Sequence, residues 1–201
     1  TPDADRAEAL RYDPVNPTPT YGGAIYWCMQ GDYAPETKGG ILGPIDQRPV
    51  LNRPDMLCYR SAPLESRMVV IGDIELDLTI ASSAEDTDFI AKLCVQETDG
   101  RIMPIANGSL RVRYRESWSQ PKALKADEAT PISLHLGQTA YAFAVCQRIV
   151  LTITSSCFPR ILPHPNTMAP TWTETTPVVA TNRILHGPTT PSTLKLPIVE
   201  M

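Results

Sequence analysis

Apolar and polar residues alternate along Ile74 to Ile80: Ile74, Leu76, Leu78 and Ile80 on one side, Glu75, Asp77 and Thr79 on the other. A period of two marks a strand with one face buried. The pattern repeats at Phe89, Ala91, Leu93 and Val95, and at Leu110, Val112 and Tyr114 set against Arg111, Arg113 and Arg115. Shorter runs follow at Met56–Tyr59, Arg101–Ala106, Ile132–Leu136, Tyr141–Val145, Ile149–Thr154, Arg183–His186 and Leu194–Val199. Asp99-Gly100 and Asn107-Gly108 tolerate positive φ and read as hairpin turns between strands. No long helical period intervenes, so βαβ units are not expected, and roughly nine or ten short strands predict an all-β sandwich or jelly roll. Asp3–Leu10 is the one stretch that reads as one or two helical turns.

Composition sharpens this picture. Proline supplies 20 of 201 residues, about twice the usual ~5%, and each one fixes φ and removes an N–H donor. The prolines crowd toward the two ends. Residues 1–45, with YDPVNPTPTYGG from Tyr12 to Gly23, read as an extended Pro/Gly-rich arm, and 46–201 as the sandwich, one structural domain overall. A net charge of -4 supplies no basic face for nucleic acid and no attraction to an anionic membrane surface. No apolar run reaches the ~18 residues of a membrane span. The chain starts at Thr1 without an apolar leader, which reads as one domain of a longer protein. Cys28, Cys58, Cys94, Cys146 and Cys157 are odd in number and lack CxxC spacing, so buried reduced thiols are expected, which slightly favours the cytoplasm.

Candidate chemistry is sparse. The nucleophile elbow G-x-S-x-G is missing, and His135, His164 and His186 are far apart in sequence, although a triad can still assemble in space. His135, between Leu134 and Leu136, reads as a surface histidine. Asp86-Thr87-Asp88-Phe89 places two acids before a strand, suited to capping a turn or, with backbone carbonyls, to holding Ca²⁺. Arg111, Arg113 and Arg115 predict one cationic sheet face, either solvated or set against a carboxylate-bearing partner. Trp27, Trp118 and Trp172 fall in loops or strand ends, where they serve as core-edge or seam residues, or as exposed platforms for sugar. Asn107-Gly108-Ser109 fits a glycosylation sequon but is already explained as a turn.

A set of short motifs adds a family expectation. In order they are Tyr12-Asp13-Pro14 with Gly22-Gly23, Asp46-Gln47-Arg48, Arg53-Pro54-Asp55 and Ser61 to Leu64. Asp86-Thr87-Asp88-Phe89, Asp99-Gly100-Arg101 and Gly108 through Arg115 follow. Phe158-Pro159-Arg160 with Asn166-Thr167, then His186-Gly187-Pro188, Pro191-Ser192 and Leu196-Pro197, complete the set. The series resembles the C-terminal β-sandwich domain of the CocE/NonD serine hydrolases, which include cocaine esterases, α-amino-acid ester hydrolases and X-Pro dipeptidyl-peptidases. His164 replaces the family's usual Asn, and Met168 a Gly, so a differently shaped late loop is expected.

The resemblance implies a galactose-binding-like jelly roll without catalytic, metal or cofactor residues. The triad of such enzymes lies on an upstream α/β-hydrolase domain, which would be this chain's partner. The sandwich is then expected to pack on that domain, support its active site and contribute to oligomer contacts, homo-oligomer contacts included. Tyr12, Tyr21, Arg111, Arg113, Arg115, Phe158, Arg160 and Asn166 are the candidate inter-domain contacts. The alternatives are an independent carbohydrate-binding module and a self-sufficient hydrolase.

Overall fold

The structure, a computed structural model, describes residues 4–22 and 43–200. Trp27, Cys28 and the Gly39-Gly40 pair lie outside the described residues. The strands are β1 (Arg6–Tyr12), β2 (Met56–Arg60), β3 (Met68–Ser82), β4 (Asp88–Gln96), β5 (Ile102–Arg111), β6 (Thr130–Phe143), β7 (Arg148–Thr154), β8 (Ala180–His186), β9 (Thr193–Lys195) and β10 (Ile198–Val199). They form two antiparallel sheets. In the larger, β6 runs along one side of β3, from Met68 opposite Phe143 to Ile80 opposite Thr130. The other side of β3 is shared by β8, β9 and β10, and β1 adds itself to β8. The smaller sheet has the order β2-β7-β4-β5.

The expected all-β sandwich is present, and the inward face of β3 is the predicted one: Ile74, Leu76, Leu78 and Ile80 are all buried. They meet Phe89, Ala91, Leu93, Leu151 and Ile153 of the facing sheet in the main core. Burying such a side chain contributes roughly 1.5–3 kcal/mol. β4 is buried on both faces. Its outward side chains lie beneath the segment that precedes β2: Lys92 donates to Gln47 Oε1 at 3.0 Å, and Cys94 packs with Ile102, Val150 and Leu51.

Several sequence expectations change. The helical turns expected at Asp3–Leu10 do not form among its described residues, 4–10; Arg6–Tyr12 is a strand, because Leu10 and Tyr12 alternate into the core while the backbone pairs with β8. This part of the expected arm is a member of the sheet. Asn107-Gly108 is no hairpin turn; both residues sit inside β5, opposite Lys92 and Ala91. The glycine is there for close approach: a Cβ on Gly108 would lie 2.1 Å from the backbone oxygen of His135 on β6. The true β4–β5 turn is at Asp99-Gly100, where Gly100 has φ +87, as expected. The strand predicted at Leu110–Tyr114 ends at Arg111, and Val112–Tyr114 coil into a 3-10 turn that leaves Tyr114 half-exposed. Ile132–Leu136 and the first part of the run predicted at Tyr141–Val145 belong to one strand, β6, which ends at Phe143 and is bent where Leu136 and Gly137 together oppose Ile74. Cys146 is exposed with φ 68, whereas Cys94 and Cys157 are buried thiols as expected. Burial pushes the Cys94 thiol up to about 12.

Asn182 joins the two sheets. It is fully buried on β8, accepts from Ser82 Oγ at 2.6 Å, and donates to Thr87 Oγ1 at 3.0 Å and Ser155 Oγ at 2.8 Å. Asn182→Ala leaves these hydroxyls without their partner and should cost about 1–3 kcal/mol. The urea midpoint reads this directly, with Thr181→Ala on the same strand expected to move it little.

Candidate functional site

Three segments converge at one end of the sandwich: residues 83–87 before β4, residues 112–129 after β5, and the long β7–β8 connection, residues 155–179. Antiparallel pairing sets Asp88, the first residue of β4, opposite Arg111, the last of β5. Arg111 therefore grips the carboxylate with two bonds, Nε to Oδ1 at 2.9 Å and Nη2 to Oδ2 at 3.1 Å. Its Nη1 reaches Thr171 Oγ1 at 3.0 Å on the long connection.

One step further the arrangement repeats below the surface. Arg113 is 8% exposed. Its backbone N–H donates to Asp86 Oδ1 at 2.8 Å and its Nε to Asp86 Oδ2. Nη1 and Nη2 donate to the carbonyls of Met168 at 3.0 Å and Thr167 at 2.7 Å. His164 is fully buried against the same carboxylate, with Nε2 3.0 Å from Asp86 Oδ2. The backbone N–H of Asn166 points at His164 Nδ1 from 2.9 Å. An N–H can only donate, so Nδ1 carries a lone pair and the ring proton sits on Nε2, directed at Asp86. Tyr12 closes the cluster by donating its O–H to the His164 carbonyl at 2.9 Å.

The electrostatics follow from this packing. Burial raises the Asp86 carboxyl, but the hydrogen bonds from His164 and Arg113, with the Arg113 charge, outweigh it and hold the group below the usual carboxylate value. Burial works against the charge of Arg111, and the Asp88 partner more than offsets it, so that guanidinium is raised. Tyr12 is pushed up, first by burial and then by the nearby Asp88 charge, and stays a neutral donor. Two ion pairs thus clamp the β7–β8 connection onto the sandwich.

The expected contact residues therefore separate. Tyr12, Arg111, Arg113 and Asn166 come together, but Tyr12, Arg113 and Asn166 are buried within this chain. Arg111, Arg113 and Arg115 do not form one solvated face, because the backbone leaves the strand at Val112. Arg115 instead donates to the carbonyls of Val112 at 3.0 Å and Lys122 at 2.6 Å. Phe158, Arg160 and Tyr21 belong to a second cluster on the arm. There Phe158 N–H donates to Thr18 O at 2.9 Å, Arg160 N–H to Thr20 Oγ1 at 3.2 Å, and Gln47 Nε2 to Tyr21 O at 2.9 Å. Asp86 and Asp88 each pair with an arginine, and no group of three or more metal-type ligands exists among the described residues. The signal for this lock was present in the sequence. Two acids spaced by two, at and just before the start of β4, face two arginines spaced by two, at and just after the end of β5.

The exposed features here are aromatic. Trp118 and Trp172 are each 81% exposed, so neither is a core-edge residue of this chain. Trp118 lies nearly parallel to Tyr114, with ring centroids 6.1 Å apart. Each histidine is occupied elsewhere: His135 with Asp73, His164 with Asp86, and His186 with Tyr59 and Glu8. Among the described residues no histidine is bonded to a serine or cysteine side chain.

Residues 1–195 match the family model described as the X-Pro dipeptidyl-peptidase C-terminal non-catalytic domain. The cocaine esterase of Rhodococcus sp. (strain MB1 Bresler) is 34% identical over 198 residues, covering 98% of this chain and 33% of that protein. An α-amino acid ester hydrolase superposes with TM-score 0.84 at 26% identity, covering 96% of this chain and 32% of the other. An aminopeptidase from a marine sediment Thaumarchaeota archaeon superposes with TM-score 0.85 at 23% identity, covering 98% and 34%. The chain thus spans about a third of the length of each relative.

Proposed function

The chain belongs to the family of X-Pro dipeptidyl-peptidase C-terminal non-catalytic domains, and from that premise we propose that it packs on the α/β-hydrolase domain of a CocE/NonD-type serine hydrolase. In this role it supports the active site of the parent and contributes to oligomer contacts. The parent cleaves esters or amides, X-Pro dipeptidyl bonds among them. One observation carries the reading: almost the whole chain aligns with a hydrolase of which it covers only 33%. The clamped loop end suits the role. Arg111 and Arg113 fix the β7–β8 connection, so Trp172 is presented on a braced loop and Trp118 on its stacked Tyr114. Large rigid aromatics lose little conformational entropy on docking and dominate interface energetics.

Two measurements test this. The purified chain should not hydrolyse p-nitrophenyl esters or Xaa-Pro anilides above a heat-killed control; turnover abolished by mutating one serine or histidine here overturns the non-catalytic role. Hydrogen exchange over residues 112–122 and 168–178 should be slower in the whole hydrolase than in the isolated chain. Equal exchange means that this end does not dock. The exposed Trp118–Tyr114 stack also favours a second reading, an independent carbohydrate-binding module. Retention on a polysaccharide column, lost in Trp118→Ala, would establish it.

A further inference from the structure

The sandwich is shut on one side and open on the other. On the shut side, β5 lies against β6 so closely that Gly108 has no room for a Cβ. On the other side, near the end of β8 at His186, the sheets part between β2 and β9 and leave a cleft of about 410 Å³. Its floor is the edge of the main core, where Leu76 and Leu78 of β3, Leu151 and Ile153 of β7 and Ile184 of β8 are all buried, and its open lining is the half-buried Ile149, Leu194 and Leu196 with Tyr59 and His186. Protein interiors are packed to a density of ~0.74, with few voids larger than a water molecule. The volume of the cleft falls within the ~300–1,000 Å³ of small-molecule sites.

Ser61, Ser192 and Thr193 also line the cleft, but the hydroxyls of Ser61 and Ser192 are bonded to backbone groups, and the polar side-chain pair at the mouth is Tyr59 with His186. Tyr59 Oη lies 3.1 Å from His186 Nε2, and the two rings meet edge to face with centroids 5.4 Å apart. Glu8 Oε2 is 3.5 Å from the same nitrogen. Burial, then Glu8, pushes the Tyr59 phenol up, so it stays protonated. Arg60 is on the rim. The alternation of β2 turns Leu57 and Tyr59 toward the core and Arg60 outward with Cys58, so its charge does not point into the cleft. A charged group carried onto the apolar floor would leave water there, and the nearest carboxylate, Glu8, lies outside the lining and already sits against His186.

We propose that this cleft binds an uncharged, mainly apolar small molecule: an aromatic ring or short alkyl body with one hydroxyl, ester or amide group bonded to the Tyr59–His186 pair. The site is separate from the loop end assigned to domain docking and does not depend on that assignment.

Benzyl alcohol and toluene are suitable probes, titrated into the isotope-labelled chain and followed by methyl resonances. Both should give saturable shifts confined to the cleft leucines and isoleucines, with benzyl alcohol about tenfold tighter for its one hydrogen bond. Tyr59→Phe should remove most of that preference and leave toluene binding unchanged. Leu194→Trp, at a half-buried rim position, should fill the mouth and abolish both, while a thermal melt verifies that the variant is folded. Shifts that fail to saturate, that scatter over the outer faces, or that persist in folded Leu194→Trp overturn the site. Equal affinity for the two probes overturns the assignment of its polar end.

Discussion

Gly108→Val should prevent the chain from folding, or cost more than about 4 kcal/mol if any folded protein is recovered. The reason is geometric. A Cβ at this position meets the His135 carbonyl oxygen at 2.1 Å, the His135 carbonyl carbon at 2.9 Å and Leu136 Cα at 2.9 Å. All three are backbone atoms of β6, which is itself held along β3 from Thr130 to Phe143. Nothing there can rotate away, so relief requires moving a strand and opening the core between the sheets. Soluble yield and the thermal midpoint report it. Ser109→Ala, an exposed neighbour on the same strand, should be almost silent. A well-folded Gly108→Val protein would mean that the sheets are further apart at this seam than described.

Asp86→Asn should cost about 3–5 kcal/mol, because it leaves the Arg113 guanidinium buried without its counter-charge. The double variant Asp86→Asn/Arg113→Met should recover part of that loss, since it removes the stranded charge as well. The pH dependence has a fixed sign. The Asp86 carboxyl is held below its ordinary value. Its stabilising contribution is therefore fully present above the ordinary carboxylate pKa and is lost as pH falls through the depressed one. Urea midpoints measured down the acid side should fall more steeply for the native chain than for Asp86→Asn. Parallel curves would show that Asp86 carries no linked proton.

Much of this molecule could be read from alternation alone. β3 was legible because Glu75, Asp77 and Thr79 face solvent while their neighbours face the core, a contrast that survives in one dimension. The strand nature of Arg6–Tyr12 was not, because Leu10 and Tyr12 gain their meaning from β8, whose residues lie far along the chain. Asn107-Gly108 misled for a physical reason: glycine serves both positive φ and close approach, and local sequence cannot tell which. The membership of the loop end was visible as motifs, yet not its architecture. Alternation alone sent Arg113 outward; the 3-10 turn at Val112 sent it inward to Asp86. His164 counted as a departure from a family pattern, whereas in the fold its ring completes the buried carboxylate's hydrogen bonding.

The pairing of β1 with β8 also has a consequence in time. Tyr12 lies opposite Ala180, so on the ribosome the first strand waits for a partner made roughly 170 residues later, about ten to thirty seconds at ordinary elongation rates. Throughout that interval Leu10 and Tyr12 are uncovered, and the strand presents a free edge to any neighbouring chain. Its sequence RAEALRY is suited to the delay. Arg6, Glu8 and Arg11 hinder stacking with copies of itself, and seven residues are too few to hold a foreign strand firmly. A nascent chain of this kind can stay soluble while its sheet still lacks β8 and the two strands after it.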